Sequence, residues 1–281
     1  MTNHTTIQSS ITAFEMDSQK WLTLTLEYID SLPKAKLSDI ADKVGSFSDT
    51  SKMPCKSWGI PADDCQTGSK LVEVEGSSCA GCYAKGGAYK WTKVFKAYKK
   101  RLETVKENGL FEWMINMIRY FLTSRNFQSK GVFRWFDSGD LQSAEMLKAI
   151  NIIAYATNGE NLKSTKYSHI NILHWLPTKE PRYLKHLASD YRALNLIPRQ
   201  SAPFKNQIID SKHTPYTSTV LTVEKFDQIR KNPELVPDMT LCLAFENNNE
   251  CGNCRACWEV PKVGYRYHGE VKHGNALEKF S

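Results

Sequence analysis

The sequence predicts an α/β fold, a partial or irregular β/α barrel with mostly parallel strands and cysteine-rich metal-binding loops. Short β-branched or aromatic runs recur along the chain, and helical segments separate them, which is typical of β/α units. We count about six or seven such strands, fewer than the eight of a closed barrel. The 281 residues are 41 % hydrophobic and 24 % charged, the balance of a globular chain that buries a core without disulfides.

The first half of the chain contains two strong helical segments. Apolar residues recur at helical spacing over 89–108, with lysines on the other sides, and the segment 110–122 is apolar enough to be buried. Residues 21–32 are compatible with a short helix or a strand. The Ser-, Asp-, Pro- and Gly-rich stretch 45–68 predicts a loop. The alternating residues 70–75 predict a strand that leads into the first CxxC pair.

The second half alternates between strands and helices. We predict strands at 132–136, 169–175, 195–198, 218–223, 239–245 and 263–267, and helices at 143–156 and 181–194. Residues 1–20 are polar and predict a flexible arm. No Pro/Gly-rich linker divides residues 21–281, so we expect one barrel-like domain that includes both groups of cysteines. No apolar run approaches a membrane span and no secretory signal is visible, so we expect a cytoplasmic chain without membrane contact.

Eight cysteines fall into two windows and are the candidate metal ligands. Thiols of a cytoplasmic chain stay reduced, and CxxC spacing then indicates metal or redox chemistry. For Cys55 and Cys65 the alternative is simple burial as small apolar residues. The spacing leaves open whether the windows form one site or two. The cysteines are Cys55, Cys65, Cys79 and Cys82 in the first window, and Cys242, Cys251, Cys254 and Cys257 in the second.

The second window favours an iron–sulfur cluster. Its CxxCxxC run from Cys251 to Cys257 resembles the runs that ligate such clusters. Zinc sites more often use two separated pairs, although four thiolates also suit one tetrahedral zinc ion. We therefore expect a 4Fe-4S cluster, with zinc as the alternative.

Other polar residues follow predicted strands. Active sites of β/α folds form at the carboxyl ends of strands, so these residues and both cysteine groups are expected at one mouth. Asp137, Asp140 and Lys179 are the candidate catalytic residues, and Arg199 and Ser201 are candidates for binding a cofactor or anion. The structural alternatives are surface charges and, for one aspartate, a cap on the helix near Ser143. A polar or anionic small molecule, or a nucleic acid, is the expected partner.

The two histidines that stand out have different expected roles. His268 is a candidate ligand or base, whereas His174 lies inside an apolar strand and is expected in the core. The sequence has no GxGxxG, GxxxxGK[ST], GxSxG or HExxH motif. Dinucleotide oxidoreductases, P-loop nucleotidases and α/β-hydrolases therefore lose support.

Four motifs together resemble the phage gene-product-88 family over about residues 50–270. They are Ser51-Lys-Met53, the Cys79–Cys82 pair with the following Tyr-Ala-Lys-Gly, Phe133-Arg with Ser138-Gly-Asp140, and Cys251-Gly-x-Cys-x-x-Cys-Trp258. A phage-encoded chain would act in the host cytoplasm. The resemblance carries no established chemistry.

A more distant likeness is to radical S-adenosylmethionine enzymes. That likeness implies that Cys65, Cys79 and Cys82 hold a four-iron cluster whose open iron binds S-adenosylmethionine. The usual motif is CxxxCxxC, whereas Cys65 lies 14 residues before Cys79. If Cys55 were the fourth ligand, no iron would be left open and this chemistry would fail.

These observations predict a phage-type iron–sulfur protein, a radical or redox enzyme that modifies a nucleotide, nucleic acid or protein. The first alternative is a zinc-binding module whose basic helix, 90–101, contacts nucleic acid. The second is a zinc-stabilised, transglycosylase-like base-modifying enzyme with Asp137 or Asp140 as nucleophile or base. The sequence leaves the substrate and the oligomeric state open.

Overall fold

The structure is a computed structural model that describes residues 2–50, 52–187 and 191–267. Its helices are α1 Thr2–Met16, α2 Ser18–Ser31, α3 Leu37–Asp42, α4 Gln66–Leu71, α5 Thr92–Asn108, α6 Leu110–Thr123, α7 Arg125–Lys130, α8 Ala144–Tyr155, α9 Gly159–Leu162, α10 Pro181–Leu184, α11 Val223–Lys231 and α12 Ala256–Glu259. Its strands are β1 Ser48–Asp49, β2 Lys56–Trp58, β3 Val132–Trp135, β4 Leu173–Thr178, β5 Leu196–Ser201, β6 Thr217–Leu221, β7 Met239–Cys242 and β8 Lys262–Arg266.

One mostly parallel sheet organises the molecule, as the alternating pattern predicts. Within the described ranges it has eight strands in the order β1-β2-β3-β4-β5-β6-β8-β7. The β1–β2 pair is antiparallel, and the other neighbours pair in parallel. The strands β1 and β7 are the edges, so the sheet is open and no closed barrel forms. Because β2 to β6 run side by side in chain order, the loops that follow them meet at one carboxyl edge.

The two faces of the sheet have different coverings. Alternate residues of a strand point to opposite faces. On one face, Phe133, Trp135 and His174 lie against the helices, and the first two belong to the main apolar core with residues of α1, α6 and α8. On the other face, Val132 and Trp175 pack against Trp258 of α12. The sheet thus has a helical face and a face covered by the C-terminal cysteine loop.

The N-terminal residues are not the arm that their polar composition predicts. Thr2–Met16 form α1, and Ile7, Ile11 and Phe14 are buried in the main core. The ring of Phe14 packs edge-to-face with the rings of Trp21 and Tyr155, with ring centroids 5.6 Å and 5.0 Å apart. The few apolar residues of this segment therefore fall on one side of a helix, and tertiary packing stabilises that helix despite its polar composition.

Replacing Phe14 should therefore lower the stability of the whole domain. We expect Phe14→Ala to lower the free energy of unfolding by about 3–5 kcal/mol, because it removes a buried ring and leaves a cavity. Met16→Ala is the matched control in the same helix, since Met16 is 83 % exposed, and its effect should stay within about 0.5 kcal/mol. Denaturant titration measures both, and equal effects would contradict the packing of α1 on the core.

Several predicted elements are confirmed and others are wrong. The helices α5, α6 and α8 and the strand β3 lie where the periodicity predicts them, and Gly109, with φ 81°, follows the last residue of α5. The expected strand 70–75 is wrong, since α4 ends at Leu71 and the following residues form exposed turns. The predicted strand 169–175 begins only at Leu173, and the predicted helix 181–194 is limited to α10 in the described part. The helix α11 was not predicted.

No helix of the described residues is long and apolar enough to cross a membrane.

Candidate functional site: two groups of cysteines

The first group consists of Cys65, Cys79 and Cys82, here called the N-terminal cysteine group. A side chain at Gly68 would place its Cβ 3.6 Å from the Sγ atoms of both Cys65 and Cys79. The backbone N–H of Cys82 donates to the carbonyl of Cys79 at 3.0 Å, which closes the CxxC turn. Burial, followed by the charges of Asp140 and the other two cysteines, raises the pKa of the Cys65 thiol. The three thiols therefore influence one another electrostatically, and the Sγ atoms of Cys65 and Cys79 both lie next to Gly68.

This group lies at the carboxyl edge of the sheet, as predicted. Cys65 follows β2, and Lys179 and Glu180 follow β4. Burial raises the pKa of the Cys79 thiol, and the nearby charge of Lys179 lowers it. The ammonium group of Lys179 also donates to the carbonyl of Ala202, which follows β5, at 3.1 Å. Lys179 is therefore placed to favour a thiolate at Cys79.

Asp140 is buried beside the same group and is held by three donors. Its carboxylate accepts hydrogen bonds from Thr178 Oγ1 at 2.6 Å, from the Lys179 backbone at 2.8 Å and from the Leu141 backbone at 2.8 Å. Burial raises the pKa of Asp140 to about 6, against the lowering effect of these hydrogen bonds. The alternative role of an aspartate as a helix cap is not observed, because Ser143 caps α8. Asp140 instead joins the turn after β3 to the end of β4.

Asp140 should make stability fall as the pH rises from about 4 to about 6. Its pKa in the folded chain lies above the ordinary 3.8, so the folded state binds this proton more tightly than the unfolded state does, and ionisation opposes folding. A shift of this size corresponds to about 3 kcal/mol. Denaturation of metal-free protein between pH 4 and pH 7 should show the advantage of wild type over Asp140→Asn shrinking across that window. A pH-independent difference would contradict the assignment.

Glu180 is a second buried carboxylate at this edge, and its sequence context did not single it out. It is 0 % exposed, and Oε1 accepts from the backbone of Thr67 at 2.7 Å. Its other oxygen lies 3.1 Å from Nε of Arg182. Because Thr67 lies in α4, between Cys65 and Gly68, Glu180 fixes the segment that carries the first cysteine of the group.

The second group consists of Cys55, Cys242, Cys251, Cys254 and Cys257, here called the C-terminal cysteine group. The backbone N–H of Cys251 donates to the carbonyl of Lys52 at 2.9 Å, so the 52–55 turn lies against the C-terminal loop. The pKa of the Cys55 thiol is raised to about 12, mainly by burial; the charge of Arg134 lowers it and the charge of Cys251 raises it. The charges of Cys242 and Cys254 likewise raise the pKa of the Cys251 thiol. The charge of Cys242 raises the pKa of Cys257, and the charge of Cys254 raises the pKa of Cys242. Cys55 thus belongs with the second window, not with the first.

The sequence predicts the C-terminal group at the same carboxyl edge as the N-terminal group. In the structure it packs instead on the sheet face opposite the main helices. Cys55 is buried with Val132, Trp175 and Trp258, and Cys257 packs against the same cluster. The indole N–H of Trp258 donates to the carbonyl of Phe133 at 2.9 Å. The loop that follows β7 therefore crosses the sheet, and its apolar residues cover side chains that the main helices leave open.

Arg199 lies under this loop and not at an open mouth. It is 0 % exposed, and its guanidinium donates to backbone carbonyls of Thr217 at 2.7 Å, Val260 at 2.6 Å and Cys257 at 3.2 Å. Further bonds reach Pro261 and Ala256. Its donors are directed at the chain itself, which gives Arg199 a structural role, and its binding of a cofactor stays a prediction. Ser201, also a predicted binding residue, is half-buried and shares a 3.2 Å hydrogen bond with Ser218.

Arg134 connects the surroundings of the two groups and was missed by sequence reasoning. Its guanidinium lies over the ring of Trp175 at 4.5 Å, and it donates to Met53 Sδ and to Tyr83 OH, each at 3.1 Å. Its charge lowers the pKa values of the Cys55, Cys251 and Cys257 thiols, against the raising effect of burial. The signal was present in the sequence, because Arg134 is a charged residue within an apolar strand.

Asp137 ties α5 to the turn after β3. It is 1 % exposed, and Oδ2 accepts from Tyr98 OH while its carbonyl accepts from Tyr83 OH at 2.8 Å. Its Oδ1 has no hydrogen-bond partner within the described ranges. Phe136, just before it, has a φ of 48°, a strained conformation for a bulky residue. These contacts give Asp137 a structural role, and its catalytic role stays a prediction.

The two histidines singled out by the sequence have different outcomes. His174 is buried in the core, where its Nε2 lies 2.8 Å from Thr157 Oγ1, as predicted. His268, like Ser51 of the first motif, lies outside the described residues.

The described side chains do not form a closed site for a single metal ion. No three of their His, Cys, Asp or Glu side chains stand close enough together to hold one, and all eight cysteines are free thiols. The donor sets nevertheless suit iron–sulfur chemistry, since Cys thiolates are its ligands. A cluster also spaces its ligands farther apart than a single ion does.

Fold and site define an α/β protein with an open, mostly parallel sheet that carries a group of three thiols and a group of five. A model of the family described as gene product 88 matches residues 28–260. The chain therefore belongs to the gene product 88 family. No curated protein and no solved structure shows significant similarity to it.

Proposed function

We propose that the protein is an iron–sulfur enzyme in which the two cysteine groups hold separate clusters. The observation that carries the proposal is the partition of eight thiols into three and five, with Cys55 in the larger set. Five thiols exceed the four needed to ligate a 4Fe-4S cluster fully, which suits a structural or electron-transfer centre. Three thiols leave one iron open, which suits a reactive centre. In the same proposal the sheet curves as a partial barrel around the C-terminal loop.

The N-terminal group is the proposed reactive centre. A four-iron cluster held there by Cys65, Cys79 and Cys82 would supply an electron and an open iron for a ligand such as S-adenosylmethionine. The cation of Lys179 supports thiolate formation at Cys79, and Glu180 holds the Cys65 segment in place. The reaction class that fits is a redox or radical modification of a polar or anionic substrate.

Anaerobic purification with iron, sulfide and zinc analysis tests this proposal. We expect brown protein with iron and acid-labile sulfide in similar amounts, and a spectral change on adding S-adenosylmethionine. A cluster spectrum indifferent to S-adenosylmethionine would overturn the radical version and leave a redox protein. Colourless protein with stoichiometric zinc would overturn the cluster proposal and favour the zinc-binding module or the transglycosylase-like enzyme.

A further inference from the structure

The solvent side of α5 carries a cluster of lysines, here called the lysine face: Lys93, Lys96, Lys99 and Lys100. All four are exposed, while Tyr98 and Leu102 on the opposite side of the helix are buried. Lys100 pairs with Asp42 at 2.9 Å, whereas Lys93 and Lys96 have no ion pair among the described residues. The first turn of α5 contains no acidic residue, and the acidic Glu103 follows only beyond the lysines.

Two exposed aromatic residues lie in the segment of chain between the N-terminal cysteine group and α5. Trp91, just before α5, is 68 % exposed, and Tyr83, just after Cys82, is 61 % exposed. The rings of Tyr83 and Tyr89 lie 5.6 Å apart, and those of Tyr89 and Tyr98 lie 5.8 Å apart. This aromatic chain links the Cys82 turn to α5. Rings left in water beside uncompensated lysines are the two elements of a single-strand nucleic-acid surface.

We propose that the lysine face, with Trp91 and Tyr83, binds single-stranded nucleic acid and delivers it to the N-terminal cysteine group. The lysines offer positive charge to a phosphate backbone, and the exposed rings offer stacking platforms to bases that are not paired. A duplex keeps its bases stacked inside and leaves the rings unused. The inference rests on the proposed function only in naming the substrate class of that centre; the binding itself does not need a cluster.

Fluorescence anisotropy with labelled single-stranded DNA, single-stranded RNA and duplex DNA tests the proposal on the full chain. We expect the single strands to bind more tightly than the duplex. Comparing single-stranded DNA with single-stranded RNA shows which of the two nucleic acids is preferred. Replacing Lys93 and Lys96 by Glu should weaken binding by about tenfold or more and reduce the steepness of the logarithmic salt dependence by about 1.4. The matched control replaces Lys130 and Lys231 by Glu. These two lysines are exposed at the ends of α7 and α11.

Trp91→Ala tests stacking separately from charge. We expect it to weaken single-strand binding about five- to hundredfold and to leave duplex binding almost unchanged. Leu194→Ala is the control, because Leu194 is 87 % exposed and lies elsewhere. Equal losses in the two lysine double variants, or tighter binding of duplex than of single strands, would overturn the proposal.

Iron and sulfide analysis of the same preparations separates this inference from the proposed function. Iron-free protein that binds single strands through the lysine face supports this inference while the cluster proposal fails. Iron-loaded protein that binds neither DNA nor RNA overturns this inference and leaves the cluster proposal standing.

Discussion

Replacing cysteines in pairs should divide the iron of the anaerobically purified protein into two independent portions. We expect Cys65→Ala with Cys79→Ala, and Cys251→Ala with Cys254→Ala, each to remove about half of the iron, and the four changes together to remove all of it. The physical reason is that thiols interact within each group, while the groups occupy different parts of the sheet, its carboxyl edge and one of its faces. Iron and sulfide analysis with the visible spectrum measures the outcome.

Cys55 gives the sharpest form of this experiment. Because it lies near Cys251 and four other thiols of that group remain, Cys55→Ala by itself should leave the iron content almost unchanged. Added to the Cys251 and Cys254 changes, it should cost no further iron. A further loss in that background would assign Cys55 to the N-terminal group, close its cluster with a fourth ligand, and exclude an open iron.

Arg199→Met should be among the most destabilising single substitutions in the chain. We expect the free energy of unfolding to fall by about 3–5 kcal/mol, because carbonyls of Thr217, Val260 and Cys257 lose their donor in a buried site. The same change should lower the iron bound by the C-terminal group, since these carbonyls hold the end of its loop. Denaturant titration and iron analysis measure the two effects.

Arg230→Met is the matched control for Arg199→Met. Arg230 is partly exposed and pairs with Glu246 at the surface, so its loss should cost less than about 1 kcal/mol. If Arg199→Met were equally mild, its bonds to the loop would not stabilise the fold. The predicted role of Arg199 in binding an anion would then regain support.

Local signals in the sequence predicted the elements with strong periodicity. The helices α5 and α6 repeat apolar residues at helical spacing, and β3 is a mostly apolar run that follows Gly131. The rule of carboxyl ends also placed Asp140 and Lys179 at one edge of the sheet, whereas the strand expected before the first CxxC pair does not form. Weak signals failed, as in residues 70–75, where alternation without a neighbouring strand formed turns, and in α1, where three apolar residues sufficed once a core was present.

The sequence by itself determined the parallel α/β architecture, the eight thiols and their two windows, because these depend on residue type and short spacing. Only the tertiary structure decided that Cys55 joins the second window, that the C-terminal loop covers the sheet face opposite the main helices, and that Arg199 holds this loop. Alternation tells which residues of a strand share a face, but not which distant segment packs on it. The contact between Lys52 and Cys251 joins opposite ends of the chain, and such a pairing leaves no local pattern.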